Sequence, residues 1–143
     1  MNNDWPKKEQ LHFAAQDGDL VRVKELVEKG YDINSVDEDM SFTPLHYAAQ
    51  YEHLEVINYL LSVGANVNAH EEESIGETPL GNVSATCSYE VAEILIEAGA
   101  NPTIPGWMQL TALHRAGERK KAEGQRVYNL LLATAKKSFH YKS

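Results

Sequence analysis

The side chains most often put to chemical use in proteins are here His12, His46, His53, His70, His114, His140 and a single cysteine, Cys87. Zinc needs ligands at short, regular spacing, and neither a His-x-x-x-His nor a Cys-x-x-Cys pair occurs, so no metal is implied. Three of the histidines recur at one place in a repeated segment. Leu11-His12-Phe13-Ala14-Ala15 returns as Leu45-His46-Tyr47-Ala48-Ala49 and, more weakly, as Leu113-His114-Arg115-Ala116-Gly117. A residue that travels with a repeat serves the repeat before it serves a site. Cys87 has no recognisable Cys/His signature around it to supply a base. The hydrolase, phosphate-loop and dinucleotide fingerprints Gly-x-Ser-x-Gly, Gly-x-x-x-x-Gly-Lys-Ser and Gly-x-Gly-x-x-Gly are absent. Paired carboxylates lie mostly in loops, without the apolar pocket that would separate their pKa values. The expectation is a protein with no cofactor and no catalytic role.

The elements that position these residues follow from the repeat. The leading leucines Leu11, Leu45, Leu80 and Leu113 are 34, 35 and 33 residues apart, and Gly30, Gly64 and Gly99 step by 34 and 35. Thr43-Pro44 and Thr78-Pro79 are helix starts, with threonine as the cap and proline at the first position, where no N–H is needed. Thr111-Ala112 keeps the cap and loses the proline. A second helix follows each turn, with Leu20, Val23, Leu26 and Val27 on one face, then Leu54, Ile57, Leu60 and Leu61, then Tyr89, Ala92, Leu95 and Ile96. The three glycines end these helices, where a left-handed residue is favoured. One such helix pair cannot bury its apolar face alone, whereas a stack can.

On these residues the chain resembles the ankyrin-repeat family. Thr43-Pro44-Leu45-His46-Tyr47-Ala48-Ala49, Leu60-Leu61 and Gly64-Ala65 carry its full signature. The resemblance implies an all-α solenoid of helix-turn-helix units with hairpin-like loops, in one domain spanning residues 1–143. Four units are expected at approximately 8–40, 41–75, 76–108 and 109–137, the first and last acting as caps. Unit one lacks Thr-Pro and begins after Asp4-Trp5-Pro6, its own start signal. Unit three has Gly81 in place of histidine and Val83-Ser84 in place of Ala-Ala. Unit four carries extra residues within Lys120-Lys121-Ala122-Glu123-Gly124, expected to protrude as a turn before a helix over about Gln125 to Lys137. The resemblance also assigns His12, His46 and His114 a structural role, tying each helix start to loop backbone. Cys87 takes the place of an inter-helix turn glycine.

In this family the loop tips, or fingers, and the inner helices line a concave binding surface. By position the fingers are Asp37 to Phe42, Glu71 to Glu77 and Thr103 to Gln109, and the inner-helix candidates include Asp17 and Tyr51. The expected partner-binding residues are Asp17, Tyr51, Asp37, Glu38, Asp39, Phe42, Glu71, Glu72, Glu73, Trp107 and Met108. The acids either steer a basic partner or only keep the protein soluble. Trp107 either anchors a partner or packs under its own finger, and the burial preference of aromatic rings favours packing.

Charge supports a protein partner. The net charge of −8 is split: residues 1–104 hold 5 Lys/Arg and 19 Asp/Glu, a net of −14, and residues 105–143 hold 8 and 2, a net of +6. The acidic part repels a phosphate backbone, so Arg115, Arg119, Lys120, Lys121, Arg126, Lys136, Lys137 and Lys142 read as a solvated cap rather than a nucleic-acid site. No apolar run is long enough to span a membrane. The polar N-terminus lacks the core of a secretory signal, and a lone cysteine suits a reducing compartment, so the expected location is cytoplasmic. The function expected is an adaptor or inhibitor, possible in an immunity-type role, that binds a partner with a basic surface. An enzyme with an unrecognised site and a spacer without a ligand site are the competing classes.

Overall fold

The computed structural model describes residues 9–71 and 76–142. The expected start signal at Asp4-Trp5-Pro6 lies outside them. Four helix pairs follow one another: α1 (Gln10–Asp17) with α2 (Leu20–Glu28), α3 (Pro44–Gln50) with α4 (Leu54–Ser62), α5 (Pro79–Val83) with α6 (Tyr89–Glu97), and α7 (Ala112–Gly117) with α8 (Ala122–Ser138). Among the described residues there is no β-strand, and no helix is long and apolar enough to cross a membrane.

The threonine caps work as their chemistry dictates. The side chains of Thr43, Thr78 and Thr111 accept the amide hydrogens of His46, Gly81 and His114. The inner helices α1, α3, α5 and α7 stack successively, and the outer helices pack α2 on α4 and α6 on α8. Alanines at the contact allow this close approach: Ala15, Ala48, Ala49 and Ala116 are fully buried beside Leu11, Leu45 and Leu80. On the outer helices Val23, Leu26, Ile57, Leu60, Ala92 and Leu95 are buried, joined by Val56 and Val91. Leu20, Val27, Leu54, Leu61, Tyr89 and Ile96 are only partly covered and pack on the rim of this core. Gly30, Gly64 and Gly99 adopt the left-handed conformation that turns the chain out of each outer helix.

Ties between units go beyond apolar stacking. Asn34 accepts the Asn66 amide hydrogen at 2.7 Å and donates to the Gly64 carbonyl at 3.3 Å. One unit on, Asn68 accepts from Asn101 at 2.8 Å and donates to the Gly99 carbonyl at 3.1 Å. This asparagine ladder satisfies loop backbone that water would otherwise have to solvate. His53 is a second tie. It begins α4 without capping it and donates from Nε2 to the Gln16 carbonyl of the preceding unit at 2.8 Å. Gly18 makes room for that ring: its φ is +74°, and an added Cβ would sit 2.5 Å from His53 Nδ1. Gly18→Ala should therefore cost about 1–3 kcal/mol, from left-handed strain and a displaced imidazole. Urea denaturation checks this, and an unchanged midpoint would contradict it.

Unit four corrects the sequence reading. Of the extra residues, Lys120 and Lys121 stay in the exposed turn, but the rest do not. Ala122, Glu123 and Gly124 are the first residues of α8, which starts earlier than expected. Gly124 is buried, and a Cβ there would lie 2.4 Å from the Arg119 Cβ, so glycine lets the Arg119 stem lie against the helix start. Arg119, read from the sequence as part of a solvated cap, is a structural tie that donates to the Ser84 carbonyl at 3.3 Å.

Candidate protein-binding surface

The loops following α2 and α6 each fold back before the next inner helix begins. The first finger closes with one backbone rung, Asp37 N–H to the Phe42 carbonyl at 2.9 Å, and the third with Gly106 N–H to the Leu110 carbonyl at 2.9 Å. Side chains then fix these two fingers from below.

In the first finger the fixing residue is Asp37, a correction to its expected exposure. The sequence reading grouped it with Glu38 and Asp39 at the tip, yet it is only 5% exposed. Its Oδ1 accepts the amide hydrogens of Met40 and Phe42 at 3.1 and 3.0 Å, and its Oδ2 accepts the Tyr47 hydroxyl. Burial pushes the Asp37 carboxyl up, and these three donors outweigh it, holding the group below its ordinary value. Burial and the same carboxylate hold the Tyr47 hydroxyl well above its ordinary value, so it stays a donor. Asp37 is thus committed inward and cannot meet a partner. Phe42 is likewise buried, at 4% exposure, and stacks on the His46 ring with centroids 4.5 Å apart. It supports the finger from beneath.

His12 and His46 each tie an inner-helix start to loop backbone. His12 Nε2 donates to the Ser35 carbonyl at 2.9 Å, and His46 Nε2 to the Glu77 carbonyl at 2.6 Å. The other nitrogen of His46 accepts the Thr43 amide hydrogen at 3.0 Å. Burial, acting first, drops the His46 pKa to about 4, so the ring is neutral at physiological pH. His114 repeats the Thr-cap geometry through Thr111 and is exposed.

Gly81 cannot make the histidine tie, and a carboxylate takes its place. Glu77 Oε1 lies 2.9 Å from where a Gly81 Cβ would be, and 2.1 Å from that of Gly106. Glu77 Oε2 accepts from Arg115 Nη2 at 2.6 Å and from the Trp107 amide at 3.2 Å, while Arg115 also donates to the Trp107 carbonyl at 3.2 Å. The pair is largely buried and clamps the third finger at both backbone groups of Trp107. Above the clamp the tip is strained: Met108 and Gln109 have φ of +60° and +61° without being glycine. The result is display. Trp107 is 54% exposed and Met108 65%, so Trp107 does not pack under its own finger.

Met40 of the first finger and Trp107 of the third stand on either side of a groove of about 300 Å³, with Phe42, Glu77 and Asn82 completing its lining. Glu38, Asp39 and Glu71 are exposed on the fingers, and Asp17 and Tyr51 are exposed on the inner-helix side. Glu72 and Glu73 lie outside the described residues. Sequence reasoning missed Glu77, Asn82 and Arg115. The available signal was the variable position inside the repeating motif, occupied by Phe13, Tyr47, Asn82 and Arg115. Tyr47 and Arg115 both reach from it into a finger.

Cys87 lies in the segment between α5 and α6 and is buried in the core, and burial pushes its thiol up to about 11. Among the described residues no group of three or more His, Cys, Asp or Glu side chains is placed to hold a metal ion.

These features define a helical-repeat solenoid that displays loop tips from a rigid stack. Residues 11–106 match the family described as ankyrin repeats (3 copies), and the chain belongs to that family. Ankyrin repeats are protein–protein interaction modules. The chain is similar to the mouse 2-5A-dependent ribonuclease, 44% identical over 66 residues, covering 46% of this chain and 9% of that protein. It is 38% identical over 91 residues to the Drosophila melanogaster palmitoyltransferase Hip14, covering 64% and 14%. With the human ankyrin repeat domain-containing protein 40 it shares 37% identity over 89 residues, covering 62% and 23%. The chain therefore spans less than a quarter of the length of each of these relatives.

Proposed function

We propose that this chain is a non-catalytic binding module that holds a protein partner with a basic surface against its fingers and inner-helix face. The observation that carries the reading is the display of Trp107 and Met108 on a clamped, strained tip beside exposed carboxylates. Apolar anchors ringed by charge are how protein interfaces divide affinity from association rate. Glu38, Asp39 and Glu71 supply the charge, and Asp17 and Tyr51 extend the surface along the palm. An inhibitor, immunity-type or adaptor role in the cytoplasm follows if the partner is bound tightly and in one-to-one ratio. The buried thiol of Cys87 and the neutral, fully engaged His46 argue against either acting as a nucleophile or base. Affinity capture from the native host with mass spectrometry tests the reading. One stoichiometric, basic partner supports it. Recovery of no partner, with turnover of a substrate from a broad panel, contradicts it.

A further inference from the structure

The groove between Met40 and Trp107 has a polarity that selects its occupant. Its walls are a thioether, the Phe42 ring and an indole, all apolar. Among its described lining residues, Glu77 and Asn82 both offer hydrogen-bond acceptors. Glu77 Oε2 is engaged by Arg115 and Trp107, while Oε1 has no donor among the described residues. Asn82 donates one Nδ2 hydrogen to Gln50 Oε1 at 3.2 Å, and its Oδ1 has no donor among the described residues. The Trp107 indole N–H and the second Asn82 Nδ2 hydrogen are donors in the same groove, so it is the two free acceptors, one of them on a carboxylate, that a ligand bringing N–H groups completes. Arg115 already balances the Glu77 charge, and it is the surrounding acids Glu38, Asp39 and Glu71, exposed on the fingers, that favour a cation.

We propose that this groove is a subsite for one arginine side chain of the partner's basic surface. The inference rests on the protein-binding reading above and narrows it. The aliphatic stem lies along Met40, and the guanidinium plane stacks on the Trp107 indole. The guanidinium edge donates to Glu77 Oε1 and Asn82 Oδ1. Arginine suits this geometry better than lysine because it is planar, weakly hydrated and carries several donors in a fixed fork. The space of about 300 Å³ is large enough to take one such side chain.

The test is a titration of the ¹⁵N-labelled chain with acetyl-Gly-Gly-Arg-Gly-Gly-amide, followed at the Trp107 indole N–H and the Asn82 side-chain amide. Matched peptides carry lysine, citrulline or norleucine at the centre. The arginine peptide should saturate both signals with a millimolar dissociation constant. Lysine should bind about threefold more weakly, and citrulline and norleucine about tenfold or more, because they lack the charge. Trp107→Leu, read at the Asn82 amide, and Asn82→Leu, read at the indole, should each weaken the arginine peptide about fivefold. Circular dichroism confirms that both variants remain helical. Equal or tighter binding of the norleucine peptide overturns the proposal, since the groove is then a plain apolar anchor. Shifts spread over Glu38, Asp39 and Glu71 that survive both variants also overturn it, as non-specific attraction. A captured basic partner that binds while the arginine peptide leaves the groove untouched overturns this subsite and leaves the protein-binding reading standing.

Discussion

His46→Ala lowers the stability of the fold by about 2–4 kcal/mol at neutral pH, because two buried backbone groups lose their partners at once. The Thr43 amide loses its acceptor, and the Glu77 carbonyl loses its 2.6 Å donor. The Phe42 ring also loses the surface it stacks on. A pH dependence identifies the same residue independently. Folded His46 titrates near 4, mainly because of burial, against 6.5 when unfolded. Below pH 6.5 the unfolded chain takes up a proton that the folded chain refuses, so stability falls as pH drops from 6.5 toward 4. The slope is about 1.4 kcal/mol per pH unit, or about 2 kcal/mol between pH 6.5 and 5. Urea denaturation of the parent and of His46→Gln at pH 7 and pH 5 isolates this contribution. The parent should lose about 2 kcal/mol more than the variant. Equal losses would show that His46 is not the buried neutral residue described. A zinc-dependent rise in melting temperature, lost in the variant, would revive a metal role.

Trp107→Ala produces the second large effect, and in binding rather than folding. An aromatic anchor at an interface centre contributes about 2 kcal/mol or more when truncated, so affinity for the captured partner should fall about thirtyfold. The loss should come mostly through faster dissociation. Stability should move by less than about 0.5 kcal/mol, because the indole is half exposed and the finger is held through its backbone by Glu77 and Arg115. Surface plasmon resonance beside thermal denaturation separates the two. A large stability loss with unchanged dissociation would return Trp107 to a packing role.

Much of the fold was legible because its causes are local. A threonine three residues ahead of an N–H caps wherever it occurs, as Thr43, Thr78 and Thr111 show, and Gly64 turns the chain whatever surrounds it. The binding surface was half legible. Composition located the acidic tips and the Trp107-Met108 pair, and Trp107 and Met108 proved exposed. Side-chain direction was hidden, because it depends on contacts far apart in sequence. Asp37 looks identical to Asp39 until Tyr47 and the Phe42 amide claim it. Glu77 looks like one more finger acid until Arg115, 38 residues on, pairs with it. The exchange of a histidine tie for a carboxylate clamp was announced only by the gap at Gly81. The helical insert at Ala122 was missed because Gly124 reads as a turn residue, when its function is to admit the Arg119 stem.

The central claim is that exposed finger carboxylates guide a basic partner onto this surface. It is tested most directly by stopped-flow association of the captured partner with the parent and with the triple variant Glu38→Ser, Asp39→Ser, Glu71→Ser, at low and high salt. Asp37 is left intact because it holds the finger. Exposed charges add little each to final affinity but jointly raise the rate of encounter. The parent's association should slow as salt rises, and the triple variant should associate about tenfold more slowly than the parent at low salt, with the two converging at high salt. A parent rate indifferent to salt, matched by an equally fast triple variant, would contradict the account and leave the acids as a solubility device.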